Sequence, residues 1–130
     1  MTKRERVICA AVPDRPLLYS QAIKANGFVF LAGQGPIDAE DRLVGEGDVV
    51  AQARQAFLNI KALAEAAGAG MDDIVKLTVY LTDRANTAAV RPVRAEFFTA
   101  PDYPALTVVG NIGLASPEWL VEIEAVIALP

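Results

Sequence analysis

The chain contains no histidine. That absence excludes Ser-His-Asp and Cys-His catalysis, together with histidine-based metal sites. Acid–base chemistry then falls to Asp, Glu, Tyr, Lys, Cys9, the backbone or water. A carboxylate-only metal site stays open but has no motif here. Cysteine occurs once, at Cys9, which forbids an internal disulfide and fits a reducing, cytoplasmic compartment. No stretch reaches the roughly 18 unbroken apolar residues of a membrane helix, so no membrane partner is expected. The basic start, Met1-Thr2-Lys3-Arg4-Glu5-Arg6, is followed by no long apolar segment, which argues against secretion. A basic stripe is also missing. The 12 Lys and Arg are scattered among 16 Asp and Glu, giving a net charge of −4. Nucleic acid is therefore not an expected partner.

What is present suits one domain spanning residues 1–130, since 53% of the residues are apolar. Arg6 to Ala10 reads as a short first strand, broken by Pro13-Asp14-Arg15-Pro16. Ser20 to Lys24 and Phe28 to Ala32 read as strands around Asn26-Gly27, the favoured two-residue hairpin turn. Gly33-Gln34-Gly35-Pro36 ends the second of them, and a mobile loop is expected through Asp41, Gly45 and Gly47. Asp48 is a candidate N-cap for a long helix. Val49, Ala53, Ala56, Phe57, Ile60, Leu63, Ala64 and Ala67 recur within it at helical spacing. Gly68 is a natural stop, and Lys61 and Glu65 pair at i,i+4. Ile74 to Leu81 alternates as a strand. A second helix is expected over Thr87 to Phe98, with Pro92 best tolerated near its first turn. Ala105 to Val109 is another strand, Gly110 to Pro117 a loop, and Leu120 to Ile127 the last strand.

The order β-β-β-α-β-α-β-β implies a two-layer α+β domain, a mixed sheet with two helices on one face. The other face is apolar enough to be buried between subunits. The last strand is the most informative. Val121, Ile123 and Ala125 share one face, and Glu122 and Glu124 share the other. A core strand does not need carboxylates. Either that face is wet, or it lines a cleft where a carboxylate does chemistry.

Several segments match a known family in order along nearly the whole chain. They are Tyr19-Ser20-Gln21-Ala22, Ala32-Gly33-Gln34, Val50 to Ala56, Asn59 to Leu63, Glu65 to Gly68 and Asp73 to Lys76 with Thr78-Val79-Tyr80. Phe97-Phe98, Pro104-Ala105 and Val121 to Ala125 complete the set. Together these resemble the reactive intermediate deaminase (Rid, or YjgF-like) family. The resemblance implies a chorismate-mutase-like fold assembled as a homotrimer, with ligand clefts between neighbouring subunits. It also implies hydrolysis of reactive enamines and imines, such as 2-aminoacrylate, to ketoacids and ammonia, without metal or organic cofactor.

The family motif places a substrate-gripping arginine where this chain has Leu106. A guanidinium offers a bidentate fork to a carboxylate; leucine offers neither donor nor charge. Val108 sits where many relatives carry cysteine. The family's water-positioning acid corresponds to Glu122, which is retained. A carboxylate tuned towards neutrality by burial or a nearby like charge can shuttle protons in imine hydrolysis. Tyr19 and Gly33 are expected to border the cleft, although Tyr19 also reads as an interface tyrosine and Gly33 as a tight-turn residue. Arg91 and Arg94 are the candidates to replace the missing cation, against their plainer reading as exposed helix residues. Glu124 reads as a structural or inter-subunit contact, Cys9 as a small buried hydrophobe.

Three functions compete on these residues. The first is a hydrolase of an enamine, imine or related metabolite with Glu122 guiding water. It is not the standard 2-aminoacrylate deaminase, because of Leu106. The second is a non-catalytic trimer binding a small metabolite. The third, a ribonuclease, is disfavoured by the absence of histidine and of a basic groove.

Overall fold

The computed structural model describes residues 3–130; Met1 and Thr2, the start of the basic N-terminal segment, lie outside the described residues. Six strands form one mixed sheet: β1 (Glu5–Val7), β2 (Ala22–Ala25), β3 (Phe28–Leu31), β4 (Ile74–Leu81), β5 (Ala105–Val109) and β6 (Val121–Ala128). Their spatial order is β1-β2-β3-β6-β4-β5. Only the β4–β5 pair at one edge is parallel; the other pairs are antiparallel. Helices α1 (Val49–Ala66) and α2 (Thr87–Ala95) cover one face. This is the two-layer α+β architecture that the element order implies.

Local chemistry accounts for the element ends. Asn26 and Gly27 both take positive φ, 52° and 80°, as the tight β2–β3 hairpin requires. The Asp48 carboxylate accepts from the amides of Val50 and Ala51, each at 3.1 Å, and so caps α1. Gly68 at φ 88° ends it. Along α1, Ala53, Ala56, Phe57, Ile60, Leu63 and Ala64 are fully buried. They meet Leu77, Val79 and Leu81 of β4 and Ile123, Ala125 and Ile127 of β6 in one core. Each large side chain in such a core contributes about 1.5–3 kcal/mol.

Three segments differ from the sequence expectation. β1 stops at Val7 rather than Ala10, because its partner β2 begins at Ala22, opposite Val7. Past that point the chain turns, with Val12 N–H donating to Cys9 O at 3.3 Å. Helix α2 ends at Ala95, three residues short of Phe98. Pro92 is its sixth residue, beyond the first turn, and removes a helical donor close to the end. The closing turn is tight, with Glu96 N–H donating to Val93 O and Phe97 N–H to Arg94 O. That frees Phe97 to stack on Phe57 at 5.1 Å between centroids, while Phe98 meets it edge-on at 6.2 Å. The loop after β3 is pinned rather than open. Asp38 accepts from the amides of Glu40 and Arg42, and Val44 N–H donates to Pro36 O. Arg15 clamps Asp41 through two contacts of 2.6 and 3.0 Å, holding that carboxyl below its ordinary range. The expected Lys61–Glu65 pair is present at 4.0 Å, both ends exposed.

The sheet face away from the helices carries Phe28 and Phe30, 41% and 48% exposed, with ring centroids 6.3 Å apart. Glu122, Glu124 and Tyr80 lie on this same face, as the strand registers require.

Candidate functional site

The two glutamates owe their place to the central position of β6. Their strand lies between β3 and β4, pairing Tyr80 with Glu122 and Thr78 with Glu124. Registered neighbours point to one side of a sheet, so Tyr80 stands beside both carboxylates. The Tyr80 hydroxyl donates a hydrogen bond to Glu124 Oε1. Beyond β3 the chain continues alongside β6, where Gln34 and Ile123 exchange backbone hydrogen bonds of 2.7 and 3.0 Å. This brings Gly33 against Glu122. A Cβ at Gly33 would sit 2.4 Å from Glu122 Oε1. The missing side chain is therefore the space that the carboxylate occupies.

The third wall is the loop after β5. Arg84 N–H donates to Asn111 Oδ1 at 3.1 Å, and Ile112 N–H reaches Leu81 O. Gly110 packs so closely that a Cβ there would lie 2.4 Å from the Cβ of Arg84. Gly33, Tyr80, Ile112 to Leu114, Glu122 and Glu124 together line an open hollow of about 300 Å³. A larger hollow of about 530 Å³ lies at the β1–β2 edge, lined by Lys3 to Glu5 and Lys24 to Gly27. It is lined chiefly by cations and holds one carboxylate, Glu5, whereas the smaller one gathers two carboxylates and a phenol, so the chemistry points to the smaller one.

Burial raises the Glu122 carboxyl above its ordinary value, and the neighbouring Glu124 charge adds to the effect. Among the described residues, no Lys or Arg forms an ion pair with Glu122. The Tyr80 phenol is also raised, chiefly by its hydrogen bond to Glu124, so it stays a donor across the neutral range. A carboxyl raised in this way beside an open hollow is suited to exchanging protons with water. No group of three His, Cys, Asp or Glu side chains among the described residues is arranged to hold a metal ion.

Buried amides fix the walls. Gln52 of α1 donates to Gly45 O and Glu118 O, each at 3.0 Å, and accepts from Leu120 N–H at 2.7 Å. Asn59 donates to Gly35 O and Ile37 O. Gln34 donates to Gln21, and Gln21 donates to Pro13 O. Trp119 packs closely on Gly35, where a Cβ would lie 2.4 Å from its ring. The strand carrying Glu122 is thus tied at its entry to the long helix.

Of the five site residues expected from sequence, Glu122 and Gly33 meet in the hollow. Tyr19 is 49% exposed in the loop before β2 and is not among the lining residues. Arg91 is exposed on α2 and likewise outside the lining. Arg94 lies on the helix side of the sheet, with Val79, Val90 and Val108. Leu106 pairs with Leu77 in the β4–β5 register, so it faces the helix side of the edge strand, opposite to Glu122. Within one protomer Glu122 and Gly33 lie apart from Leu106 and Arg91, which belong to the helix side, and from Tyr19 in its loop. Tyr80 and the 112–114 loop were not singled out from sequence. The alternation of β4 placed Tyr80 on a polar face, but which strand lies beside it is a non-local fact.

Gly33→Ala is expected to push the Glu122 carboxylate out of its seat while leaving the core intact. A carboxyl-resolved NMR titration checks this. The Glu122 midpoint should move down as the group becomes more hydrated, with the unfolding midpoint nearly unchanged.

Comparison with known proteins places this architecture. Residues 11–129 match the family model described as Endoribonuclease L-PSP. RutC family protein PH0854 from Pyrococcus horikoshii is 44% identical over 108 residues, covering 83% of this chain and 84% of its own. A 2-iminobutanoate/2-iminopropanoate deaminase from Dermatophagoides farinae is 33% identical over 126 residues, covering 96% and 97%. The crystal structure of E. coli TdcF with bound serine superposes with a TM-score of 0.86 at 29% identity, covering 97% of this chain and 99% of that one. Proteins described as Rid and RidA are among the other solved neighbours. The chain belongs to the Endoribonuclease L-PSP family, the Rid or YjgF-like proteins that its sequence motifs resemble.

Proposed function

We propose that this protein is a small-molecule hydrolase acting on an enamine, imine or related reactive metabolite, with Glu122 guiding the water. The observation that carries this reading is the partly buried Glu122, raised above its ordinary carboxyl range and seated against Gly33 in an open hollow. The deaminase-named relative and the serine-bound neighbour support a small nitrogenous ligand. In the reaction, water oxygen attacks the C=N carbon and the π pair moves to nitrogen. Glu122 accepts a proton from water and returns one to nitrogen. The hydroxyl proton of the resulting carbinolamine then passes to nitrogen as the C–N bond breaks and the oxygen pair forms the carbonyl, leaving a carbonyl and ammonia. An enamine first takes a proton at carbon to become the imine.

The unit proposed to act is a cytoplasmic homotrimer of single 1–130 domains, without cofactor, nucleic acid or membrane. Its assembly is supported by the exposed Phe28 and Phe30 on the uncovered sheet face. In such an assembly the Leu106 side of one edge strand approaches the Glu122 hollow of a neighbour. Tyr19 and Arg91 are then available to border the same cleft. Leu106 makes that wall apolar, so the substrate is one that does not need a carboxylate clamp.

The test is a coupled assay generating 2-aminoacrylate, run beside a neutral imine on preparations of known mass by light scattering. The unmodified trimer should hydrolyse the neutral imine and leave 2-aminoacrylate nearly untouched. Leu106→Arg should raise the 2-aminoacrylate rate by about 10- to 100-fold, the value of a charged hydrogen bond of about 1.5–3 kcal/mol. Rapid turnover of 2-aminoacrylate by the unmodified protein would mean that another residue holds the carboxylate. Silence of both proteins towards both substrates would favour a non-catalytic metabolite-binding trimer.

A further inference from the structure

The charge in the hollow is of one sign. Glu122 and Glu124 both stand in its lining, while Gly33, Tyr80 and the 112–114 loop bring no cation to them. The basic side chains nearby are engaged or lie outside the lining. Lys76, further along the same face, donates to Thr107 at 2.6 Å. Arg84 packs its Cβ against Gly110. Among the described residues Glu122 makes no ion pair and accepts no hydrogen bond. Tyr80 holds Glu124 through Oε1 and leaves its other oxygen free. The loop wall is apolar, with Ile112 and Leu114 both half-buried. We infer that the substrate of this hollow is an iminium ion, the protonated form of a carboxylate-free imine, with its nitrogen end on Glu122 and Glu124 and an apolar body on Ile112 and Leu114.

Two partly buried carboxylates without a counter-cation repel each other, and a cation placed between them relieves that cost. An anionic substrate would add a third like charge, and such juxtaposition discriminates strongly between partners. An iminium nitrogen carries N–H donors, and charge-assisted bonds to carboxylates are the strong kind. The choice also suits the hydrolysis proposed above, on which this inference rests for its purpose. Water attacks the iminium carbon, the π pair moves to nitrogen and its positive charge is cancelled. Glu122 takes the water proton in the same step, so both charges of the ion pair disappear together. The carbinolamine breaks down as described, and the proton on Glu122 passes to the released ammonia to give ammonium. A neutral imine enters this cycle as its conjugate acid.

The test uses three nearly isosteric probes that are not hydrolysed: benzamidinium, benzamide and benzoate, which are positive, neutral and negative. Each is titrated into the intact protein, and binding is read from the amide NMR shifts of Gly33, Gly113 and Leu114. Benzamidinium should bind most tightly and benzoate least, with the difference shrinking as salt is raised. Glu124→Gln should weaken benzamidinium roughly tenfold, about the worth of one charged hydrogen bond. Benzamide binding should stay nearly unchanged in that variant, which shows that the hollow is intact. Equal binding of the three probes overturns the inference, as does no binding of any, or benzamidinium shifts confined to other surfaces. Preferred binding of benzoate, abolished by Arg91→Gln, would overturn it by showing that a neighbouring subunit supplies a cation. If benzamidinium is selected but no imine is hydrolysed, the charge preference stands and the hydrolase reading fails. If imines are hydrolysed while benzamidinium neither binds nor inhibits, the hydrolase reading stands and this inference fails.

Discussion

Glu122→Gln is expected to lower imine or enamine hydrolysis by roughly 10²- to 10⁴-fold, the usual contribution of one positioned acid–base group. Glutamine fills the same seat against Gly33 and still orients water, but it cannot accept a proton from it. Steady-state rates on a substrate turned over by the unmodified protein provide the measurement, and full retained activity would remove Glu122 from the mechanism. The same substitution should stabilise the fold at neutral pH. The folded-state carboxyl is raised by burial and by Glu124, so folding binds the proton more tightly than the unfolded chain does. Its contribution is favourable below the unfolded value and lost as pH rises through the folded one. Glutamine stays neutral across that window. Unfolding free energy against pH should therefore fall less steeply for the variant, just above the ordinary glutamate range, than for the unmodified protein.

Gln52→Leu should produce the largest loss of stability among the amide changes. The side chain is fully buried and satisfies three backbone groups from two separate loops. Leucine matches its bulk but leaves Gly45 O, Glu118 O and Leu120 N–H unpaired. Each orphaned buried group costs about 1–3 kcal/mol, so a total of about 3 kcal/mol or more is expected. For a chain of this size the midpoint should drop by roughly 10 °C. The chain's single tryptophan, Trp119, adjoins two of these contacts, so its emission should report loosening of the 118–120 segment before global unfolding. A loss under about 1 kcal/mol would mean that water replaces the amide.

Much of this molecule is legible from its sequence, for reasons that differ by residue. The helix α1 is written in local chemistry: Asp48 at its cap, Gly68 at its stop, apolar residues at one spacing between. The alternation of Val121 to Ile127 sorts Glu122 and Glu124 onto one face without any knowledge of neighbours. Gln52 and Asn59 were not singled out from sequence; they share the buried face of α1 with Ala56 and Leu63, and nothing local says what they bind. The non-local facts were not legible. Tyr80 meets Glu124 because β6 lies beside β4, a pairing of residues 44 apart. Gly33 looks like a turn glycine; in the fold its role is to make room for a carboxylate. The end of α2 differs from the expectation because Pro92 leaves the preceding turn without one hydrogen bond, and Phe97 and Phe98 pack on Phe57 instead of continuing the helix.

The strand that carries Glu122 is the last in the chain and lies in the middle of the sheet. During translation the β1–β3 hairpins and the α1–β4 unit emerge without the piece that joins them. Each exposes an unpaired edge until residues 121–128 leave the ribosome. Closure then depends on contacts far apart along the polypeptide, the slow kind to form. The nascent protein acquires Glu122 and its hollow in the same event that makes it a stable body, so a partly made copy has neither.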